Sequence, residues 1–362
     1  MNELLLLGGT LLLIVGAELL VRGAARLAAA AGVSPLVIGL TVVAFGTSSP
    51  ELAVSIKAAL AGQAGLAVGN VVGSNIFNVL LILGLSALVA PLLVSRQLIR
   101  LDVPLMIATS GLVWLLAADG RVGRLEGAGL SLILVVYTVF LIVQSRRETG
   151  AVKDEYAAAV RPGRGRWPGD LALVVGGLAL LVLGSDWLVT GASAIARALG
   201  VSDLVLGLTI VAAGTSMPEA VTSIVASVRG QRDIAVGNVV GSNIFNLLGV
   251  LGLSSLVSPA GMAVSAAALH FDIPVMTAVA LACLPVFFTG QAIARWEGGL
   301  FLGYYVAYTA YLVLAAQQHE VLPFYSKVMM IFVVPVTALT LALLAVRGWR
   351  RRKAGVEADD RG

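Results

Sequence analysis

Charge is scarce in this chain of 362 residues: Asp, Glu, Lys and Arg together make up 12%, against roughly 25% in a soluble domain. Cysteine is limited to Cys283 and histidine to His270 and His319. A single cysteine excludes an internal disulfide, and so few histidines exclude a His-rich metal centre. No Gly-x-x-x-x-Gly-Lys loop is present to cradle a nucleotide, and no nucleophile–base pairing stands out. Nucleotide-driven pumping and intramembrane enzymology are therefore disfavoured, and neither a resident cofactor nor a nucleic-acid partner is expected. Basic residues are also missing ahead of the first apolar stretch, which begins at Leu4 after Glu3. A cleavable signal peptide wants a basic leader. Arg22 and Arg26 follow the stretch instead, so it reads as a retained first helix with its N-terminus outside.

What is abundant is apolar mass: 59% of residues are hydrophobic and mean hydropathy is +0.97. It is gathered in long runs such as Leu171 to Leu183 and Val328 to Val346. About 20 such residues cross a bilayer core of about 30 Å, so the bilayer itself is the chain's main partner. Eleven spans are predicted, near 3–21, 35–58, 66–89, 98–117, 127–145, 170–189, 204–228, 234–257, 271–289, 298–316 and 325–346. With the N-terminus outside, nineteen Lys and Arg fall on the inside and five on the outside, as the positive-inside rule asks. The expected location is the cell membrane, with a cytoplasmic linker over 146–169 and a cytoplasmic C-terminus. The basic tail Arg350-Arg351-Arg352-Lys353 reads as a headgroup anchor.

The chain also repeats itself. Shifted by 168 positions, residues 39–88 match 207–256 at 33 of 50 positions. Gly46-Thr47-Ser48-Ser49-Pro50-Glu51 falls on Gly214-Thr215-Ser216-Met217-Pro218-Glu219, and Ala67 to Asn78 recurs unchanged as Ala235 to Asn246. Each half holds five predicted spans. Five is odd, so the halves cross the membrane in opposite senses, the inverted-repeat plan of secondary transporters. The expected architecture is all-α: one five-helix repeat over 1–145, a second over 170–316, and an extra helix with its tail over 317–362.

The repeated residues carry the chemistry. Pro50 and Pro218 lie inside spans, where proline lacks an N–H and clashes with the carbonyl four residues back, here Gly46 and Gly214. A break is expected at each, tolerated in a bilayer only where it lines a polar cavity. Freed carbonyls, Thr and Ser hydroxyls and the carboxylates of Glu51 and Glu219 form a set of hard oxygen donors, which suits Ca²⁺ or Na⁺. A mid-span carboxylate needs a partner, and no Lys, Arg or His occupies the matching positions, which leaves a bound cation or a proton. On the third and eighth spans, a spacing of four puts Asn70, Ser74 and Asn78 on one face, and likewise Asn238, Ser242 and Asn246. Ser74, Asn78, Ser242 and Asn246 read as lining; Asn70, Asn75, Asn238 and Asn243 read as tethers between helices. Asp102 and Asp272, each two residues before a proline, read as helix-start residues. Glu18 and Asp186 read as interfacial or packing groups.

Two copies of Gly-Thr-Ser-x-Pro-Glu, each followed by Gly-Asn-x-x-Gly-Ser-Asn-Ile, resemble the alpha-repeats of the sodium/calcium exchanger family in the calcium/cation antiporter superfamily. The resemblance covers the first ten spans. It implies Glu51 and Glu219 as calcium-binding carboxylates, and Thr47, Ser48, Thr215 and Ser216 as hydroxyl or carbonyl ligands. It also implies the carbonyls of Ala44 and Ala212, with Ser74 and Ser242 in sodium sites, and it sets Asn78 on the family's asparagine. It departs at Asn246, where exchangers often carry aspartate, and the linker holds none of the family's cytoplasmic calcium-sensing domains, so the chain resembles a minimal, unregulated form. The implied activity is antiport of calcium against sodium, in the direction of calcium extrusion, with proton coupling as the alternative. A channel would build its site from a ring of symmetric subunits, whereas here the repeat lies inverted within one chain.

Overall fold

In the computed structural model, residues 2–147, 167–198, 212–288, 291–342 and 346 are described. The linker, the start of the span expected over 204–228 and the basic tail lie largely or wholly outside them. The spans are α1 (Asn2–Ala31), the bent pair α2 (Pro35–Thr47) and α3 (Ser49–Leu60), α4 (Ala64–Val89), α5 (Leu98–Asp119) and α6 (Arg124–Arg147). The second half holds α7 (Trp167–Ala198), the turn Ala212–Gly214 leading to α8 (Met217–Val228), α9 (Arg232–Val257), α10 (Ala268–Phe288) and α11 (Arg295–Ala316). α12 (Leu322–Ala342) follows. Ten of the eleven expected crossings are thus seen as helices, one of them bent by 46°; the other is described only from Ala212. The chain is a multi-pass membrane protein whose spans are all helices, in two inverted repeats and one further helix.

α1 and α7 are longer than the sequence reading allowed, at 30 and 32 residues. At 1.5 Å per residue each exceeds the bilayer core, so they tilt across it or project beyond it. They run antiparallel, and their contact is built on glycine at seven-residue spacing: Gly9, Gly16 and Gly23 on α1, Gly177, Gly184 and Gly191 on α7. A Cβ on Gly16 would lie 2.8 Å from the Gly177 carbonyl oxygen, and one on Gly184 would lie 2.9 Å from that of Gly9. Lipid gives helices no hydrophobic drive to associate, so close backbone approach over small residues supplies the attraction.

The same device interlocks the two repeats. Gly127 on α6 meets the Gly252 carbonyl of α9, and Gly298 on α11 meets the Gly84 carbonyl of α4. Each repeat's last helix therefore packs on the other repeat's third. The connecting loops are knitted the same way by two-residue antiparallel strands, which the all-helical expectation omitted. β1 (Leu92–Leu93) pairs with β4 (Ala292–Ile293), and β2 (Arg121–Val122) with β3 (Met262–Ala263). At the centre α4 and α9 cross. The apolar window of α9 is wholly buried, which explains how Asn and Ser side chains on it are kept from lipid.

α12 stands apart. Only Leu341 of its side chains is buried. Tyr304 and Tyr325 bind it to α11, through Tyr304 Oη to Thr337 Oγ1 at 2.7 Å and Tyr325 Oη to the Ala307 carbonyl at 2.8 Å. A cavity of about 900 Å³, lined mostly by apolar and tyrosine side chains, lies among α10, α11 and α12.

Adjacent glycines give a direct test of the α1–α7 contact. A Cβ at Gly177 would sit 2.6 Å from the Leu20 amide nitrogen, whereas one at Gly176 meets nothing within 4 Å. Gly177→Ala is expected to lower stability by about 1–3 kcal/mol, as overpacking does, and Gly176→Ala to be neutral or stabilising. Thermal unfolding of the purified protein in detergent, followed by intrinsic fluorescence, checks both.

Candidate cation-binding site

Proline and glycine set the local geometry. The helix halts at Ser48 (φ −82°, ψ 8°) and, in the second copy, at Ser216 (φ −90°, ψ 8°). This sparsely populated bridge region is a common setting for site residues. α3 and α8 restart one residue later with Pro50 and Pro218 in the first turn, where the missing N–H costs nothing. Glu51 and Glu219 then lie in the first turn of each half-helix, where the helix dipole favours a carboxylate. One expectation needs correcting. The Gly214 carbonyl freed by Pro218 is not left open, because the Ser185 hydroxyl of α7 donates to it.

Both glutamates are fully buried. They are held crosswise: Ser48 Oγ donates to Glu219 Oε1 and Ser216 Oγ to Glu51 Oε1, each at 2.8 Å. Ser216 Oγ also lies 3.0 Å from Ser74 Oγ. Thr47 Oγ1 is within 3.0 Å of Asn238 Oδ1 and of the Val43 carbonyl, and Thr215 Oγ1 is 3.3 Å from Asn70 Oδ1. Asn70 Nδ2 reaches the Glu51 carbonyl at 3.2 Å and Ser55 Oγ at 2.9 Å; Asn238 repeats this on the Glu219 carbonyl and Ser223 Oγ. Asn70 and Asn238 are thus tethers. They tie α4 to α3 and α9 to α8, and present an oxygen to the opposite repeat's threonine. The Ala44 carbonyl accepts from the Ser48 amide at 3.0 Å. Ala212 opens the described part of the second copy, and nothing is described of its side chain.

Among the described residues, buried side-chain oxygens without a hydrogen-bond partner include Glu51 Oε2, Glu219 Oε2, Asn78 Oδ1, Asn246 Oδ1 and Ser242 Oγ at this centre; others, such as Ser86, Asp170, Ser193, Thr222, Ser254 and Ser255, lie on these and other helices. Asn78 and Asn246 each open a widened π turn, Asn78–Leu83 and Asn246–Val250, a distortion frequent at functional sites. Burying an unpaired oxygen is costly, and the five at the centre gather on the broken helices and the two crossing ones. Among the described residues no group of three or more His, Cys, Asp and Glu forms a metal cluster. Two carboxylates and a shell of neutral oxygens make an arrangement suited to a hard cation.

Asp102 and Asp272 are not helix caps. Asp102 makes no capping bond. It is buried deep enough to need other partners, and accepts from Tyr137 Oη at 2.8 Å and Gln97 Nε2 at 3.2 Å. Asp272 accepts from Tyr308 Oη at 3.0 Å. The aspartates and tyrosines occupy matching places in the two repeats, so the pair joins each fourth span to the fifth. Glu18 bridges Arg22 and Arg229, the latter at 2.8 Å, while Asp186 is exposed. His270 is exposed, and His319 accepts from the Val321 amide.

Two inverted five-span repeats, meeting where broken helices bring buried carboxylates together, are the build of a secondary cation antiporter. The profile of the family described as sodium/calcium exchanger protein matches residues 3–143 and 170–314. The chain belongs to that family. The sodium/calcium exchanger MaX1 of Methanosarcina acetivorans is 35% identical over 365 residues, covering 86% of this chain and 98% of MaX1. The inner membrane protein YrbG of Escherichia coli is 36% identical over 242 residues, 64% of this chain and 73% of YrbG. Among solved structures, the sodium-calcium exchanger NCX_Mj soaked with 10 mM Na⁺ and 10 mM Sr²⁺ superposes with a TM-score of 0.74 at 31% identity, over 85% of this chain and 97% of that one.

The Asp–Tyr pairs predict unequal losses. Tyr137→Phe leaves fully buried Asp102 short of a donor, a cost of about 1–3 kcal/mol. Tyr308→Phe should cost less, because Asp272 keeps some exposure. Thermal unfolding midpoints of the two variants, compared with the parent, decide this.

Proposed function

We propose that the chain exchanges Ca²⁺ for Na⁺ by alternating access through the oxygen cluster around Glu51 and Glu219, working in the direction of calcium extrusion. The observation that carries the reading is two fully buried carboxylates, each with an unpartnered Oε2, on helices that also carry the unpartnered Asn78 Oδ1, Asn246 Oδ1 and Ser242 Oγ or pack against those that do. Thr47, Ser48, Thr215, Ser216, Ser74 and the Ala44 and Ala212 carbonyls complete the proposed ligand set. Two carboxylates balance the charge of one Ca²⁺, or of competing monovalent cations. An empty, doubly charged site resists occlusion, because desolvating bare charge is costly. Occupation neutralises it and lets the two repeats exchange conformations. That couples inward movement of one ion to outward movement of the other. The names of MaX1 and NCX_Mj support sodium and calcium as the ions. No resident cofactor is required.

The proposed working units are residues 1–145, a linker over 146–169, residues 170–316, and the helix and tail over 317–362. The membrane orientation proposed is N-terminus outside and C-terminus cytoplasmic, from the distribution of Lys and Arg.

A specific residue favours a second reading. Asn246 is neutral, so the site has a smaller negative charge with which to hold extra Na⁺, and protons are the alternative counter-ion. Proteoliposomes loaded with Na⁺ at equal pH are expected to take up ⁴⁵Ca²⁺, and Glu51→Gln to abolish uptake. Uptake driven only by a pH gradient selects the proton-coupled reading, and full uptake by Glu51→Gln overturns the site. For orientation, green fluorescent protein fused after Gly362 is expected to fluoresce in cells, and alkaline phosphatase at the same place to be inactive.

A further inference from the structure

An asparagine amide shows a cation either an oxygen, which ligates, or an NH₂, which repels. The two choices differ by a half-turn of the last side-chain torsion. Asn78 and Asn246 face this choice, and a second pair of asparagines settles it. Asn78 Nδ2 donates to Asn243 Oδ1 at 3.0 Å, and Asn246 Nδ2 donates to Asn75 Oδ1 at 3.2 Å. With each Nδ2 so engaged, the Oδ1 of Asn78 and that of Asn246 are the atoms left free.

Asn75 and Asn243 cannot easily reverse in turn. Asn75 Nδ2 donates to the Asn243 carbonyl at 3.3 Å and touches Met276 Sδ at 3.7 Å. Asn243 Nδ2 donates to the Asn75 carbonyl at 3.4 Å and touches Met106 Sδ at 3.5 Å. A reversed Asn75 would set its oxygen against the Asn243 carbonyl and its NH₂ against that of Asn246. All four side chains are at most 2% exposed, so no water relieves such a clash. The result is a chain of four asparagines between α4 and α9, with Asn75 and Asn243 joined reciprocally at its centre and one orientation set for each amide.

We propose that Asn75 and Asn243 are positioning residues for ion binding: each holds the amide of the opposite repeat, Asn246 and Asn78 respectively, with its carbonyl oxygen toward the cation. This rests on the cation site proposed above. It explains why four neutral amides suffice where exchangers often place a carboxylate at the position of Asn246. An aspartate needs no orienting, because both its oxygens ligate. An asparagine does, and Asn75 and Asn243 supply the orientation.

The test is a pair of crossed mutant cycles on the full-length protein in detergent. The dissociation constant for Ca²⁺ is read by calorimetry, and KM and kcat for ⁴⁵Ca²⁺ in proteoliposomes. Asn75→Ala is expected to weaken Ca²⁺ binding about 10–100-fold, as loss of a ligand-orienting partner does, raising KM more than it lowers kcat. In an Asn246→Asp background the same substitution is expected to cost little or nothing, while in an Asn78→Asp background it keeps its full cost. Asn243→Ala is expected to show the opposite pattern, with its cost removed by Asn78→Asp and not by Asn246→Asp. The mirrored cycle also stands in should one aspartate variant fold poorly. Equal losses in every background mean that Asn75 and Asn243 merely hold the helices together, and overturn the proposal. If the parent binds no Ca²⁺, or Glu51→Gln binds it unchanged, the cation site itself is wrong.

Discussion

Two glutamates buried in a bilayer with no cationic side chain against them are the constraint around which this molecule is arranged. Among the described residues, the ion pairs involve Glu18, Asp119 and Asp170, never Glu51 or Glu219. Their charge is met instead by geometry. Breaks at Ser48 and Ser216 place them in first turns, and the opposite repeat's serine holds one oxygen of each. Because every such hydrogen bond crosses between repeats, neither half can complete its own site. The crossing helices, the cross-packed glycines Gly84–Gly298 and Gly127–Gly252 and the cross-paired strands all enforce that mutual dependence.

With the described ion pairs between the halves confined to the rim, at Glu18–Arg229 and Arg26–Asp170, the burden of holding them together falls on close packing. The α1–α7 seam and the α6–α9 and α4–α11 contacts bring backbone to within about 3 Å of where a Cβ would stand. Such interfaces give large contact area with few specific bonds. The densest cluster of amides and hydroxyls lies at the centre, where α3, α4, α8 and α9 meet. The division of labour, with small residues at the seams and oxygens at the axis, follows from a solvent that rewards neither exposed charge nor apolar burial.

The repeat, the odd span count and the proline–glutamate cores were legible in the sequence, because local periodicity and an exact shift of residues carry them. Four features were not. The glycine ladder is visible as a spacing of seven, but its partner lies on a helix far along the chain. Asp102 looked like a helix start because Pro104 follows it, whereas its hydrogen-bond donor Tyr137 sits 35 residues on. The lengths of α1 and α7 were cut short at Arg22 and near Val189, since hydropathy falls there while the helices continue. The fate of the Gly214 carbonyl depended on Ser185, whose place in the first repeat is taken by Ala17. For the glycine ladder, Asp102 and the Gly214 carbonyl, the deciding partner is remote in sequence, which periodicity cannot report.

Mirroring of the central contacts has an energetic corollary. If two conformations interconvert by trading the roles of the repeats, each crossed contact is replaced by its twin and the two end states come out isoenergetic. A preference can arise only where the twin is missing. The Glu18–Arg229 ion pair is such a place: shifting by 168 gives Asp186, which is exposed, and Ala61, which carries no charge. A partly exposed pair contributes at most about 1 kcal/mol, and that much skews a balanced two-state equilibrium roughly fivefold. A single unmatched charge pair on the rim is therefore enough to make a palindromic machine lean to one side.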